Sequence, residues 1–342
     1  EDHLLAINLD PGAYFSTVAD EVNTVILSSG TLSPLNQMAC ELGTPFKVQL
    51  SASHIISPNQ LVIYTIGKGP GGTELLGTYK NMESNREKIE VELGNILVKI
   101  LGSIPGGVLF FMPSHSSLSS LIATWQKTGI INDIRELKPI FFEEQSLNAQ
   151  MYIDYKNSIE KSGGAILFGV CRGRMSEGID FYDDQARSVI VFGIPYPPKN
   201  DRDICLKMQF NDDRCESLKL MNGINEMNGM SGMSGSEWYD AQAYRALFQA
   251  TGRCIRHSKD YGSIILIDSR FSKQASRFPR WMQQSFVGMK MDKSVEDTDV
   301  NDLPDLLTSF YTEMSAEFPP RSILRKSSPT TICCLNCGRE IV

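Results

Sequence analysis

Seven short apolar runs punctuate the chain, at 24–28, 61–66, 107–112, 139–142, 165–170, 188–193 and 263–268. They are near-continuous rather than alternating, which is the pattern of a strand covered on both faces, where no row of side chains meets water. Helical periods lie between them. Ser84 and Glu87 have the spacing of a capping box, and Ile89, Leu93, Ile96, Leu97, Ile100 and Leu101 follow on one stripe up to Gly102, so a helix is predicted to start at Ser84. Leu118, Leu121, Ile122 and Trp125 predict a second helix ending near Gly129. A third is predicted over about 147–162, stopped by Gly163 and Gly164. Strands alternating with helices imply an α/β fold, a mainly parallel sheet with helices on both faces.

Two stretches break the pattern. Residues 222–236, rich in Gly, Asn, Met and Ser, lack periodicity and read as a mobile surface loop. After Met291 the chain turns acidic (Asp292, Glu296, Asp297, Asp299, Asp302, Asp305) and then briefly basic (Arg321, Arg325, Lys326). One short helix is expected near 302–314, with a flexible tail otherwise.

Composition changes this picture little. A hydrophobic fraction of 42% over 342 residues allows a large core. No apolar run approaches the roughly 18–20 residues that cross a bilayer, so no membrane partner is expected. A net charge of −7 excludes a globally basic nucleic-acid coat but not a local basic cleft. The eight cysteines are scattered or grouped at the end, as reduced intracellular thiols rather than a disulfide framework.

Four segments carry candidate chemistry. In the first, residues 249–257, a continuous helix would align Gln249, Arg253 and Arg256 at i, i+4 and i+7, with Ala243, Ala246, Leu247, Ala250 and Cys254 packed behind. Two guanidinium forks and an amide suit a polyphosphate. Spacing alone favours a solvated surface helix over such a site. The second lies between two predicted strands. Gly173 and Gly178 would let backbone amides approach a phosphate or ribose, Arg172 and Arg174 could meet a nucleic-acid backbone, and Glu177 and Asp180 could accept hydrogen bonds from a ribose or from the arginines. Third, Ser114 is placed to cap a helix whose free amides could hold a phosphate. Fourth, Ser29 and Thr31 supply hydroxyls in a turn after a strand.

Taken in order along the chain, the four segments resemble motifs III, IV, V and VI of the iron–sulfur group of superfamily-2 DNA helicases, over nearly all of residues 5–290. His54-Ile55-Ile56, Gly67-Lys68-Gly69-Pro70, Ile194-Pro195-Tyr196-Pro197, Trp238-Tyr239 and Arg256-His257-Ser258-Lys259-Asp260-Tyr261-Gly262 look like the same group, closest to its Fanconi anaemia J branch. The resemblance implies a RecA-like helicase domain 2 over 36–290, preceded at 1–35 by the end of motor domain 1 and followed at 291–342 by the tail. It implies Arg253 and Arg256 as fingers reaching a γ-phosphate held by the partner domain. Gln249, Glu177, Gly178 and Asp180 would line the same cleft. Ser29 and Thr31 would couple nucleotide state to DNA grip, and Ser114, Arg172 and Arg174 would meet single-stranded DNA. The group translocates 5′ to 3′ and unwinds forked and G-quadruplex DNA with repair proteins in the nucleus.

The departures bear on activity. No G-x-x-x-x-G-K-[ST] and no DEAH-like box occur, and the family's cluster cysteines are absent. ATP with Mg and a 4Fe–4S cluster are therefore expected on a half outside these residues, and the chain alone is expected to be inactive, since fingers without a triphosphate have nothing to stabilise. Phe248 stands where the family often has a polar residue, and the Gly/Met loop replaces a shorter connection. Cys334 and Cys337 make half a zinc knuckle, which is not enough for tetrahedral zinc, so no metal site is expected. Two alternatives stay open: a telomere-acting helicase of the same group, or a non-catalytic RecA-like module that binds nucleic acid or protein.

Overall fold

The computed structural model describes residues 6–29, 32, 35–50, 54–143, 149–177, 179–222, 232–319, 332–333 and 340–341. Helices α1 (Pro11–Glu21) and α2 (Leu35–Glu41) come first, then strand β1 (Leu61–Ile66) and helix α3 (Tyr79–Ile100). There follow β2 (Gly106–Met112), α4 (His115–Thr128), α5 (Ile130–Leu137), β3 (Ile140–Phe142), α6 (Ala149–Ser162) and β4 (Gly164–Val170). A one-turn α7 (Arg174–Glu177) leads to β5 (Ser188–Phe192), α8 (Arg202–Asn222), α9 (Gly235–Thr251) and β6 (Gly262–Ile267). The chain then forms α10 (Arg280–Gln283), α11 (Leu303–Glu317) and a small antiparallel pair, β7 (Ile332–Cys333) with β8 (Glu340–Ile341).

The six long-range strands form one sheet in the order β1-β6-β5-β2-β4-β3, and every pairing is parallel. All carboxyl ends therefore share one edge and all amino ends the other. One face packs against α3, α4, α5 and α11 through residues such as Ile89, Leu93, Trp125 and Phe310. The other packs against α6, α9 and the 271–286 segment through Tyr155, Leu247, Phe271 and Phe278. The doubly covered sheet read from the apolar runs is the observed one.

Several expectations give way. Residues 24–28 are not a strand: Ile26 is 84% exposed, and among the described residues no strand lies alongside to take its hydrogen bonds. The capping-box pattern at Ser84 does not begin a helix. Helix α3 starts at Tyr79, and the pattern marks a kink at Asn85 (φ −126°, ψ 16°), where the Asn85 side-chain amide bonds back to Asn81 at 2.8 Å. The segment after 291 is no loose tail as far as 318. Val295, Val300, Leu303, Leu307, Tyr311 and Met314 are buried in the sheet's two cores, and the Tyr311 hydroxyl donates to the Arg187 carbonyl at 2.6 Å. Of the Gly/Met stretch, residues 223–231 lie outside the described residues, while 232–236 lead into α9 through a Ser234–Glu237 capping box.

Lys138 enters the sheet's amino edge just before β3, 6% exposed, and its ammonium donates to the Gly106 carbonyl at 3.0 Å. Burial pushes its pKa down to about 8. A folded-state pKa below the unfolded one means that stability from this group is present above the unfolded pKa of 10.5 and is lost as pH falls through about 8. Lys138→Met should thus be more stable than the parent below pH 8, by on the order of 2–3 kcal/mol, and the advantage should shrink towards pH 10.5. Urea midpoints of the two proteins across that range check this. A pH-independent difference would refute it.

Candidate nucleotide and nucleic-acid site

The register sets the site's geometry. Met112 of β2 pairs with Val170 of β4, so Ser114 and Arg172 each stand two residues past that pair, in adjacent loops on the carboxyl edge. Ser114 caps α4, its hydroxyl accepting from the Ser117 amide at 3.2 Å. Arg172 is exposed in the left-handed region (φ 64°), and its guanidinium donates to the Gln242 carbonyl at 2.9 Å. Arg174, also exposed, begins α7.

Gly173 was read as an opening for a phosphate. Instead a Cβ there would stand 2.7 Å from both carboxylate oxygens of Glu143, a residue the sequence reading passed over. Glu143 accepts from the Val170 amide at 2.9 Å and the Met175 amide at 3.1 Å. The loop's amides are thus met from within the fold. Only the absent glycine side chain leaves room for that carboxylate, and nothing in a local pattern marks a partner 30 residues upstream.

From Cys171 on the carboxyl edge, the chain runs through α7 and returns to the amino edge at Ser188. Arg253 fastens this strap. Its Nε and Nη2 donate to the Ser176 carbonyl at 2.9 and 2.5 Å, and its Nη1 to the Ile179 carbonyl at 2.6 Å. Asp180 on the strap meets both arginines, 2.9 Å from Arg256 and 3.7 Å from Arg253. Gly178 and the Glu177 side chain lie outside the described residues, as does Thr31; Ser29 is exposed.

The aligned helical face expected for Gln249, Arg253 and Arg256 does not exist. Helix α9 ends at Thr251, whose hydroxyl turns back to the Leu247 carbonyl at 2.9 Å, and the chain turns through Gly252 towards β6. The packed face behind it is as read: Ala243, Ala246, Leu247, Ala250 and Cys254 are all buried. Phe248 is buried too, against Tyr244 and Phe278. The turn still gathers the three polar side chains in one cleft of about 370 Å³.

The two arginines differ. Arg253 spends its donors on the strap. Arg256 has Nε and Nη2 buried without a hydrogen-bond partner among the described residues; Nη2 lies at ion-pair distance from Asp180 but is not aligned for a hydrogen bond. Its backbone is firmly held, the amide donating to Asp260 at 3.0 Å. A buried guanidinium with unused donors is costly unless a ligand completes it.

Asp183, His257 and Asp260 bring three potential ligand atoms within 4.8 Å of one another. Hydrogen bonding already accounts for them. His257 Nδ1 accepts from the Lys259 amide at 3.2 Å, so the proton sits on Nε2, which donates to Asp183 at 2.7 Å. Asp260 accepts from Arg187 at 2.8 Å and from the amides of Arg256 and Tyr261, each at 3.0 Å. This network stiffens the turn that carries Arg256. Cys334 and Cys337 lie outside the described residues.

Residues 97–285 match the family described as "Helicase C-terminal domain", a range that includes Ser114, Arg172, Asp180, Gln249, Arg253 and Arg256. The Fanconi anemia group J protein homolog of Gallus gallus is 38% identical over 288 residues, 81% of this chain and 22% of that protein. The Regulator of telomere elongation helicase 1 homolog of Drosophila sechellia is 36% identical over 268 residues, 77% of this chain and 26% of its own length. The chain thus spans about a quarter of the curated relatives it matches. A solved structure titled "XPD_APO" superposes over 81% of this chain and 50% of its own with a TM-score of 0.54 at 20% identity, a likeness of fold. The chain belongs to the helicase C-terminal domain family.

Proposed function

We propose that this chain is the second motor domain of an ATP-driven 5′–3′ DNA helicase of repair or replication, working on forked or G-quadruplex DNA with repair proteins in the nucleus. The observation that carries this reading is Arg256, whose backbone is held by Asp260 and whose guanidinium, with two nitrogens that make no hydrogen bond among the described residues, lines the cleft. That donor set fits a triphosphate, whose developing negative charge a planar cationic fork stabilises. ATP with Mg, held by a lobe outside these residues, supplies the hydrolysable phosphoanhydride. Arg256 is the finger and Gln249 lines its approach. Arg253 and Asp180 hold the strap against the finger instead of reaching out themselves. Residues 1–35 belong to the end of the first motor domain, with Ser29 and Thr31 coupling the lobes.

The same strap ends at Arg172 and Arg174 on the carboxyl edge beside Ser114, which form the single-stranded DNA track. A shift at the nucleotide cleft therefore has a direct covalent route to the DNA side. A 4Fe–4S cluster does not fit the cysteines described here: Cys171, Cys205, Cys215 and Cys254 are free thiols, with Cys171 and Cys254 buried in the core. It belongs to another part of the longer protein.

Arg256→Ala in the full-length protein, assayed by DNA-stimulated ATP hydrolysis, tests the reading, and parental turnover would overturn it. On the DNA side, Arg174→Ala should weaken binding to single strands of any sequence and reduce the slope of log K against log salt by about 0.7, one phosphate contact. A titration at several salt concentrations measures it, and an unchanged slope removes Arg174 from the track.

A further inference from the structure

The cleft that holds Arg256 has further lining that the motor reading does not use. His54, just before β1, and Trp281, on α10, stack there with ring centroids 4.2 Å apart and planes 27° apart. Leu61, Pro279 and Met282 add apolar surface to the same lining that holds Gln249, Arg253 and Arg256. Both rings are half-buried. His54 is oriented by the Ile56 amide, which donates to its Nδ1 at 3.4 Å, and burial lowers its pKa, favouring the uncharged ring. Helix α10 is steadied by the Gln283 side chain, which donates to the Phe278 carbonyl at 2.7 Å. The Trp281 indole N–H has no hydrogen-bond partner among the described residues.

We propose that His54 and Trp281 form a base-stacking platform for the nucleotide whose phosphates Arg256 addresses. A nucleoside triphosphate is a flat aromatic body joined to a polyanion. The lining of the cleft combines aromatic and apolar surface with guanidinium groups, in a volume of about 370 Å³. Stacking recognises a π-face without reading its edge, so on this lobe the platform favours any purine over a pyrimidine of smaller face. This rests on the motor reading but specifies which residues take the base.

The test is steady-state ATP hydrolysis by the full-length protein on saturating single-stranded DNA. Trp281→Ala should raise KM for ATP on the order of tenfold while kcat stays within about twofold, and Trp281→Phe should restore most of the affinity. Inorganic tripolyphosphate, which has no base, should inhibit parent and Trp281→Ala equally. His54→Leu should raise KM less and serves if the alanine variant does not fold. Unmoved KM in these variants, or a tripolyphosphate inhibition constant that rises as much as KM, overturns the platform. Arg256→Ala separates the two readings: a dead Arg256→Ala beside a parental KM in Trp281→Ala rejects only the platform, whereas an active Arg256→Ala rejects the finger assignment on which the platform's placement rests.

Discussion

Arg256→Ala is expected to lower kcat for DNA-stimulated ATP hydrolysis by a factor of ~10³–10⁵ in the full-length protein. Affinity for ATP itself should change by less than about tenfold, because the finger's stabilisation is realised mainly as charge develops in the transition state. Arg256 Nε and Nη2 are shielded from solvent and make no hydrogen bond among the described residues, with Asp180 2.9 Å from Nη2 balancing the charge, so part of their desolvation precedes the nucleotide. Its backbone amide is anchored on Asp260, so little orientation is left to lose on closure. Arg256→Lys should rescue poorly, since an ammonium is a point charge without the planar fork. Single-turnover hydrolysis beside equilibrium ATP binding separates the effects. Equal losses in both would make Arg256 a binding residue, and no loss in either would end the finger assignment.

How much of this was legible in the chain follows from what each residue's neighbours are. The six runs from 61–66 to 263–268 form strands within about a residue of their expected ends, because a doubly covered strand needs continuous apolar residues whatever lies beside it. The run at 24–28 has the same composition but no sheet edge among the described residues, and a strand without a partner is not a strand. The acidic segment after 291 misled for a different reason. Most of its charges precede α11, the helix expected near 302–314, whose apolar residues (Leu303, Leu307, Phe310, Met314) are buried and complete the core.

Which of the proposed site residues come together was legible, but not the shape in which they do. Gln249, Arg253 and Arg256 do share a cleft, though through a turn rather than a helical face. Their unequal roles were invisible, since the carbonyls that occupy Arg253 come from residues more than 70 positions away. Glu143 and the His54–Trp281 pair escaped for the same reason: each depends on contacts between distant segments, which no local spacing encodes.

Asp260→Ala should destabilise the fold by about 3–5 kcal/mol, the cost of removing one of the two carboxylates that pair a buried guanidinium together with the acceptor of two amides. Arg187 is 3% exposed and Asp260 1%, with 2.8 Å between them. Arg187 would keep only Asp184, itself partly open to solvent, the Tyr261 carbonyl at 2.8 Å and the Tyr261 ring 3.9 Å beneath it. Part of the loss arises because Asp260 also accepts the amides of Arg256 and Tyr261, and each buried amide left without an acceptor costs about 1–3 kcal/mol if no water enters. Replacing both partners removes the buried charge, so Asp260→Ala combined with Arg187→Met should recover part of the stability, although the two amides stay unsatisfied. Turnover should not recover with it, because the turn bearing Arg256 would still lack its anchor. Urea unfolding of the single and double variants measures the first effect and ATP hydrolysis the second. A midpoint unmoved by Asp260→Ala would mean that the pair does not bear on folding, and full turnover in the double variant would mean that the finger needs no mount.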